Sequence, residues 1–91
     1  MTITIHHVPE TRRFIAKVDG HEGYIEYSRQ GDVLSIDHTI VPPAIGGRGI
    51  AGDLVKAGLD YARAEGLKVH PACSYADTWM RRHPEYDALR V

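Results

Sequence analysis

A cluster of prolines and glycines near the middle of the chain separates two halves of different character. Pro42 and Pro43 open the cluster, and Gly46, Gly47 and Gly49 follow. Neither residue type suits the interior of a helix or of an inner strand, because proline lacks a backbone N–H group and glycine loses much conformational entropy on ordering. The cluster therefore predicts a loop, with regular structure on either side of it.

The half before this loop alternates apolar and polar side chains, as half-buried strands do. The Asp19-Gly20 pair predicts a tight turn that makes two of the strands a hairpin. Strands are predicted over Thr2 to Val8, Arg13 to Val18, Gly23 to Ser28, and Val33 to Val41. In the fourth strand, regular alternation predicts that His38 shares a face with Leu34, Ile36 and Ile40, while Asp37 lies on the opposite face.

Helical spacing replaces this alternation after the loop, starting at Ile50. Gly66 fits the left-handed conformation that follows the end of a helix. A short strand is predicted over Leu67 to Ala72, and a last helix over Tyr75 to Arg82 with Ser74 as its N-cap. Because a strand, a helix and a strand in succession favour a parallel pair, the predicted fold is α+β. It combines an antiparallel meander with one parallel strand pair, a crossover helix and a C-terminal helix.

Length and charge limit the classes of partner. The 91 residues suit a single domain spanning residues 1–91. Eleven basic against twelve acidic residues give a formal charge of -1, so no nucleic-acid partner is expected. A lone cysteine makes no internal disulfide, and no apolar stretch approaches the roughly 20 residues that span a bilayer. We therefore expect a cytoplasmic protein with no membrane partner, and a monomer or weak dimer.

The glycine-rich loop is the first candidate binding element. It joins a strand to the start of a helix, where unpaired backbone N–H groups and the helix dipole attract phosphate groups. It lacks the Lys-Ser/Thr ending of a P-loop and follows a strand late in a meander, which disfavours a nucleoside triphosphate or a dinucleotide. Alternatively, the loop is only a flexible connection between the strand and the helix and binds no ligand.

The stretch from Val33 to Glu65 resembles the acetyl-CoA-binding strand, loop and helix of the GNAT N-acetyltransferase superfamily. The family loop reads Gln/Arg-x-x-Gly-x-Gly/Ala, and this chain has Gly46 at its first position, Gly49 at the first glycine and Ala51 at the last. Three further segments resemble a short single-domain subgroup with an active-centre cysteine: His38-Thr39-Ile40-Val41, Pro71-Ala72-Cys73-Ser74-Tyr75 and His83-Pro84-Glu85-Tyr86.

This resemblance implies a seat for acetyl-CoA. The backbone of Ile40 and Val41 would pair with the pantetheine amides, and the parallel strands would separate to admit them. The pyrophosphate would lie on the loop formed by Gly46, Gly47, Arg48, Gly49, Ile50, Ala51 and Gly52. Because the chain lacks the early helices of longer members, the face that receives the acceptor should be open.

Three residues are candidates for the chemistry. Cys73 follows the last strand, where the thioester would arrive, and would act as a nucleophile, line the sulfur site, or pack as an inert thiol. His38 and His70 lie on the two flanking strands and are candidate bases, although strand histidines commonly serve only packing. Met80 occupies the position where many members carry a tyrosine as general acid, so Tyr75 or Tyr86 would have to replace it.

These residues predict an enzyme that transfers the acetyl group of acetyl-CoA to a primary amine of a small molecule or protein. A non-catalytic module that binds acyl-CoA is the alternative, because the Met80 side chain has no proton to donate. No metal site is expected, since His6 and His7 are adjacent on a strand and point to opposite faces.

Overall fold

A computed structural model describes residues 3–91 as one five-stranded sheet with two α-helices on one face. The strands are β1 (Ile5–Val8), β2 (Arg13–Val18), β3 (His21–Gln30), β4 (Val33–Ile40) and β5 (Lys68–Pro71). The helices are α1 (Ile50–Ala64) and α2 (Ser74–Arg81), and two 3₁₀ helices cover Pro43–Ile45 and Pro84–Leu89. No helix within residues 3–91 is long and apolar enough to cross a membrane.

The strands lie in chain order across the sheet. The first three pairs are antiparallel and β4 pairs with β5 in parallel, which confirms the predicted α+β fold with its meander and crossover helix. The predicted turn is also confirmed, because Asp19 and Gly20 both have positive φ, 51° and 77°. Gly66, with a φ of 70°, ends α1 as expected.

The core lies between the sheet and the helices. Leu54, Val55 and Leu59 of α1 are fully buried against inward-facing strand residues such as Ile25. A Cβ atom on Gly58 would lie 2.9 Å from Cδ1 of Ile25, so glycine there lets the helix approach the sheet closely. This contact fixes α1 across the sheet, with its N-terminus near the end of β4.

Several predicted boundaries differ from the structure. The first strand begins at Ile5, and Thr2 lies outside the described residues. The fourth strand ends at Ile40 and excludes Val41. Cys73, not Ser74, is the N-cap of α2, so the N-cap prediction was wrong. Both 3₁₀ helices were missed, and each begins at a proline, whose fixed φ suits the first helical position.

A β-bulge reverses the side-chain alternation in the middle of β4. Ile36 pairs with Tyr27, but the next partner along β3, Glu26, pairs with His38. The extra residue is Asp37, and beyond it Thr39 pairs with the buried Ile25 on the helix-covered face. The prediction that His38 and Ile40 share the face of Ile36 was therefore wrong.

Candidate functional site

The glycine-rich loop leaves the first turn of α1 open. Gly47 and Gly49 both have a φ of 77°, and a Cβ atom at either position would meet nothing within 4 Å. Glycine is therefore favoured at these positions because of the left-handed backbone conformation, and not because a side chain would clash. Gly49 is the N-cap of α1, and no side chain in the part of the chain that the structure describes caps the helix. The first N–H groups of an α-helix have no partner inside it, so those of Ile50, Ala51 and Gly52 are available to an anion.

Parts of three loop residues are engaged by the protein itself. The N–H group of Gly46 donates to the carbonyl of Pro43 at 3.2 Å. The guanidinium of Arg48 pairs with the carboxylate of Asp19 in the β2–β3 turn. The side chain of Ile50 is buried in the core, 1% exposed. Ligand contacts from the predicted set would therefore be made mainly by backbone groups on the helix side of Gly46.

The two parallel strands separate at their carboxyl ends. Their pairing runs from Val33 opposite Lys68 to Ile36 opposite Pro71, and the N–H group of Cys73 then donates to the carbonyl of Ile36 at 2.9 Å. Beyond this point β4 continues to Ile40, which is 46% exposed, and no strand of the described residues 3–91 lies beside it on the β5 side. The end of β4 therefore offers a free backbone edge next to the open turn of α1.

Cys73 lies at this separation and meets a residue that sequence reasoning overlooked. Its Sγ atom is 3.4 Å from the hydroxyl oxygen of Thr39, across the gap between the strands. The bulge in β4 brings the Thr39 side chain to this face, and a pattern of apolar and polar residues does not reveal a bulge. Cys73 is half-buried, so its thiol is accessible to a ligand in the gap.

The surroundings favour the thiolate form of Cys73. Burial by itself would raise the pKa of the thiol, but the Thr39 hydroxyl and the backbone N–H groups of Ala76 and Tyr75 outweigh it. The net effect is a pKa lowered from the model-compound value of 9.0. Cys73 is the N-cap of α2, and its sulfur makes no capping hydrogen bond. The two N–H groups therefore lower the pKa of the thiol as part of the positive N-terminal end of α2.

The two candidate histidines lie on the sheet face opposite the helices. His70 pairs with Ser35, whose strand neighbours Leu34 and Ile36 both face the core, and His38 pairs with Glu26 on that same outer face. The partner that the structure gives the Cys73 thiol is thus a hydroxyl and not an imidazole.

Asp37 also lies toward the outer face, because it accepts a hydrogen bond from the Ser35 hydroxyl at 2.7 Å. The prediction that Asp37 and His38 point to opposite faces was therefore wrong. Asp37 is the extra residue of the bulge, where the alternation of a regular strand does not apply.

The side chains considered for proton donation have different surroundings. Met80 is completely buried. The Tyr86 hydroxyl donates to the Asp60 carboxylate at 2.7 Å, and burial together with this bond raises the pKa of Tyr86. Tyr75 is 41% exposed, and burial of part of its ring raises its pKa. Of the two tyrosines, only Tyr75 has a hydroxyl that no described residue engages.

The outer face of the sheet carries no helix within residues 3–91. A shallow cavity of about 560 Å³ lies on it, lined in part by Ser35, His70 and Val91.

Comparison with known proteins gives consistent matches over almost the whole chain. A family model described as GCN5-related N-acetyl-transferase matches residues 13–89. Protein NATD1 of Gallus gallus is 35% identical over 85 residues, which are 90% of this chain and 77% of that protein. Protein NATD1 of Homo sapiens is also 35% identical and is covered to 75%. The solution NMR structure of a GCN5-like protein from Staphylococcus aureus superimposes with a TM-score of 0.77 at 26% identity, over 97% of this chain and 87% of that one.

Proposed function

The chain belongs to the family of GCN5-related N-acetyltransferases, and from this membership we propose that it transfers the acetyl group of acetyl-CoA to a primary amine. The acceptor is a small molecule or an exposed amine of a protein. The observation that carries the proposal is the separation of β4 from β5, which leaves a free backbone edge beside Cys73 and the open turn of α1. An extended amide chain ending in a thioester matches such an edge.

In this proposal the loop and the strand edge bind the donor. The unpaired N–H groups at the start of α1 hold the diphosphate, and the positive end of the helix dipole adds to the attraction. The backbone of β4 near Ile40 pairs with the pantetheine amides as a neighbouring strand would. These contacts fix the thioester close to Cys73 and Thr39, whose side chains face each other across the gap.

Cys73 has two chemically distinct roles open to it. In the covalent route its thiolate attacks the thioester carbonyl carbon, the carbon–sulfur bond to CoA breaks, and CoA leaves as a thiolate that takes up a proton. The amine then attacks the acetyl-cysteine and restores the thiol. In the direct route the amine attacks the thioester itself, and Cys73 lines the site. His38 or His70 would take the proton of the amine from the outer face.

A non-catalytic acyl-CoA-binding module is the second candidate. It is favoured by Met80, which is buried and apolar where a proton donor is expected, and by the bond that engages the Tyr86 hydroxyl. Such a module would bind acetyl-CoA with the same loop and edge but would release no CoA.

The test measures CoA release and acetyl transfer by mass spectrometry, with acetyl-CoA alone and with a panel of primary amines. Acetylated amine in stoichiometric amount with free CoA supports the enzyme, and acetyl-Cys73 formed without amine identifies the covalent route. Binding of acetyl-CoA by calorimetry without any product supports the module. Absence of binding overturns both candidates.

Cys73→Ala separates the roles of the thiol. Loss of a nucleophile should reduce the rate by orders of magnitude, whereas loss of a lining group should change it only a few-fold. Cys73→Ser serves as the matched variant, because it keeps the size of the side chain while removing the thiolate. Full activity in both variants would leave Cys73 a packing residue.

A further inference from the structure

Three hydrogen-bonding side chains lie in one row across the outer face of the sheet. Ser28 of β3 pairs with Ser35 of β4, and Ser35 pairs in turn with His70 of β5. Neighbouring strands are about 4.8 Å apart, so this polar row extends over about 10 Å and places two hydroxyl groups and an imidazole side by side. All three residues are partly or fully exposed, so none of them is needed to fill the core.

The cavity of about 560 Å³ on the outer face is built around the polar row. Gln30 adds an amide to its lining, and Val33 and Val91 add apolar surface. Serine hydroxyls and a glutamine amide both donate and accept hydrogen bonds, and no Asp, Glu, Lys or Arg side chain of the described residues 3–91 lines the cavity. Its volume is in the range of small-molecule sites. The cavity therefore suits a small ligand whose body combines hydroxyl groups with aliphatic carbon.

One end of the polar row meets the gap between the parallel strands. His70 directly precedes Pro71, where the pairing of β5 with β4 ends. Asp37 directly follows Ile36 at the same place on β4, and its carboxylate accepts the hydrogen bond of the Ser35 hydroxyl at 2.7 Å. A ligand that lies along the polar row with its ammonium at this end has its charge balanced by Asp37 and its nitrogen beside the gap.

The strands carry two other carboxylates on this face, and both are already paired with cations. Glu26 accepts from Arg13 at 2.9 Å, and Glu22 lies 3.6 Å from the ammonium of Lys17. Asp37, in contrast, has no cation partner within residues 3–91. The face therefore offers one carboxylate to one ammonium group. A polyamine or a lysine-rich protein segment carries several positive charges, and most of them would find no opposite charge here.

We propose that this cavity binds the acceptor of the acetyl group, and that the acceptor is a small, singly charged primary amine with hydroxyl groups on an aliphatic frame, such as an amino sugar or an amino alcohol. The inference rests on the proposed function, because it identifies the substrate class of that reaction. The ammonium lies at the Asp37 end of the polar row, and the hydroxyl groups extend along it toward Ser28.

The same geometry distinguishes the two candidate bases. His38 lies outside the cavity and pairs with Glu26, which is bonded to Arg13. His70 lies in the cavity, at the end next to the gap. In the transfer, His70 takes the proton that the amine nitrogen loses, the carbon–nitrogen bond forms as the carbon–sulfur bond breaks, and the sulfur leaves as a thiolate.

The substrate class is tested by supplying acetyl-CoA with four amines and measuring kcat/KM from the acetylated product by mass spectrometry. D-glucosamine carries one ammonium and several hydroxyls, hexylamine carries no hydroxyl, and spermidine and a lysine-rich peptide carry several charges. Each hydrogen bond from the cavity should improve kcat/KM about 2- to 12-fold, so we expect D-glucosamine to exceed the other three at least about 10-fold. A preference for any of the other three amines would overturn the inference.

Ser28→Ala tests the cavity at the end of the polar row far from the gap. Loss of its hydroxyl should raise KM for D-glucosamine about 2- to 12-fold and leave kcat and the dissociation constant of acetyl-CoA unchanged. Ser28→Thr keeps the hydroxyl and should restore the KM of the wild type. Glu22→Ala is the matched control, because Glu22 lies on the same strand and face but does not line this cavity. Equal KM values in Ser28→Ala and Glu22→Ala would refute the cavity as the acceptor site.

An NMR titration with D-glucosamine separates failure of this inference from failure of the proposed function. Saturable amide shifts at the polar row, with no acetylated product, would support the cavity and overturn the acetyl transfer. Acetylation of D-glucosamine with no shift at the polar row would support the transfer and overturn the cavity. If D-glucosamine neither shifts these amides nor is acetylated, while another amine is acetylated, only the inference on the substrate class falls.

Discussion

Gly49→Ala separates the conformational role of the loop from its role in binding. Gly49 is the N-cap of α1 with a φ of 77°, and a Cβ atom there would meet nothing within 4 Å. The added methyl group therefore creates no clash, and the cost to the folded protein is the strain of a left-handed L-residue, about 1–2 kcal/mol. For a domain of this size the melting temperature should fall by about 4–8 °C per kcal/mol.

The same methyl group should have a much larger effect on binding. It would stand beside the unpaired N–H groups of the first turn, where the proposed diphosphate must approach the backbone. Gly31 supplies a matched control, because it also has positive φ, 61°, and open space around its Cβ position, but lies in the β3–β4 turn. Gly31→Ala should show a similar loss of stability and an unchanged affinity for CoA.

The assays are urea denaturation for the free energy of unfolding and calorimetry for the dissociation constant of CoA. We expect Gly49→Ala to weaken CoA binding at least about 10-fold, which is 1.4 kcal/mol, at a temperature where both variants are folded. The bulkier Gly49→Val should abolish binding. Equal CoA affinities in Gly49→Ala and Gly31→Ala would refute the assignment of the loop as the diphosphate site.

Three further predictions test other parts of the structure. Thr39→Val should raise the pKa of the Cys73 thiol, because the hydrogen bond with the hydroxyl that favours the thiolate is lost. The pH dependence of Cys73 alkylation measures this pKa, and an unchanged profile would show that Thr39 does not act on the thiol. Burial lowers the pKa of His7 from 6.5, although the charge of Glu10 acts in the opposite direction. The folded state therefore favours the neutral ring, so this contribution to stability is present above pH 6.5 and is lost as the pH falls below 6.5. His7→Phe should flatten this dependence in denaturation experiments, and identical profiles would contradict the assignment. Light scattering should show a monomer or weak dimer, and a stable tetramer would be incompatible with that prediction.

The order of the elements followed from local patterns in the sequence. Alternation predicted the strands, the Asp19-Gly20 pair the hairpin, and helical spacing after Ile50 the crossover helix. Each of these signals depends on residues close together in the chain, which single-sequence reasoning can use. The 3₁₀ helices escaped because their prolines also suit loops. The N-cap of α2 was misplaced by one residue because serine caps helices far more often than cysteine.

The candidate site was less predictable because it depends on a register shift between two strands. Alternation through β4 predicts that His38 faces the helices, but the extra residue at Asp37 reverses every side chain beyond it. Thr39 therefore reaches Cys73, and His38 moves to the outer face together with His70.

The bulge also determines which candidate residues lie on each face of the sheet. The thiol and its hydroxyl partner lie on the helix side of the gap, next to the loop that would hold the donor. Both histidines lie on the outer face, the side from which the proposed amine acceptor would come. In the proposed transfer, a donor on one face and a base on the other would meet through the gap between β4 and β5, where the pairing ends at Ile36 opposite Pro71.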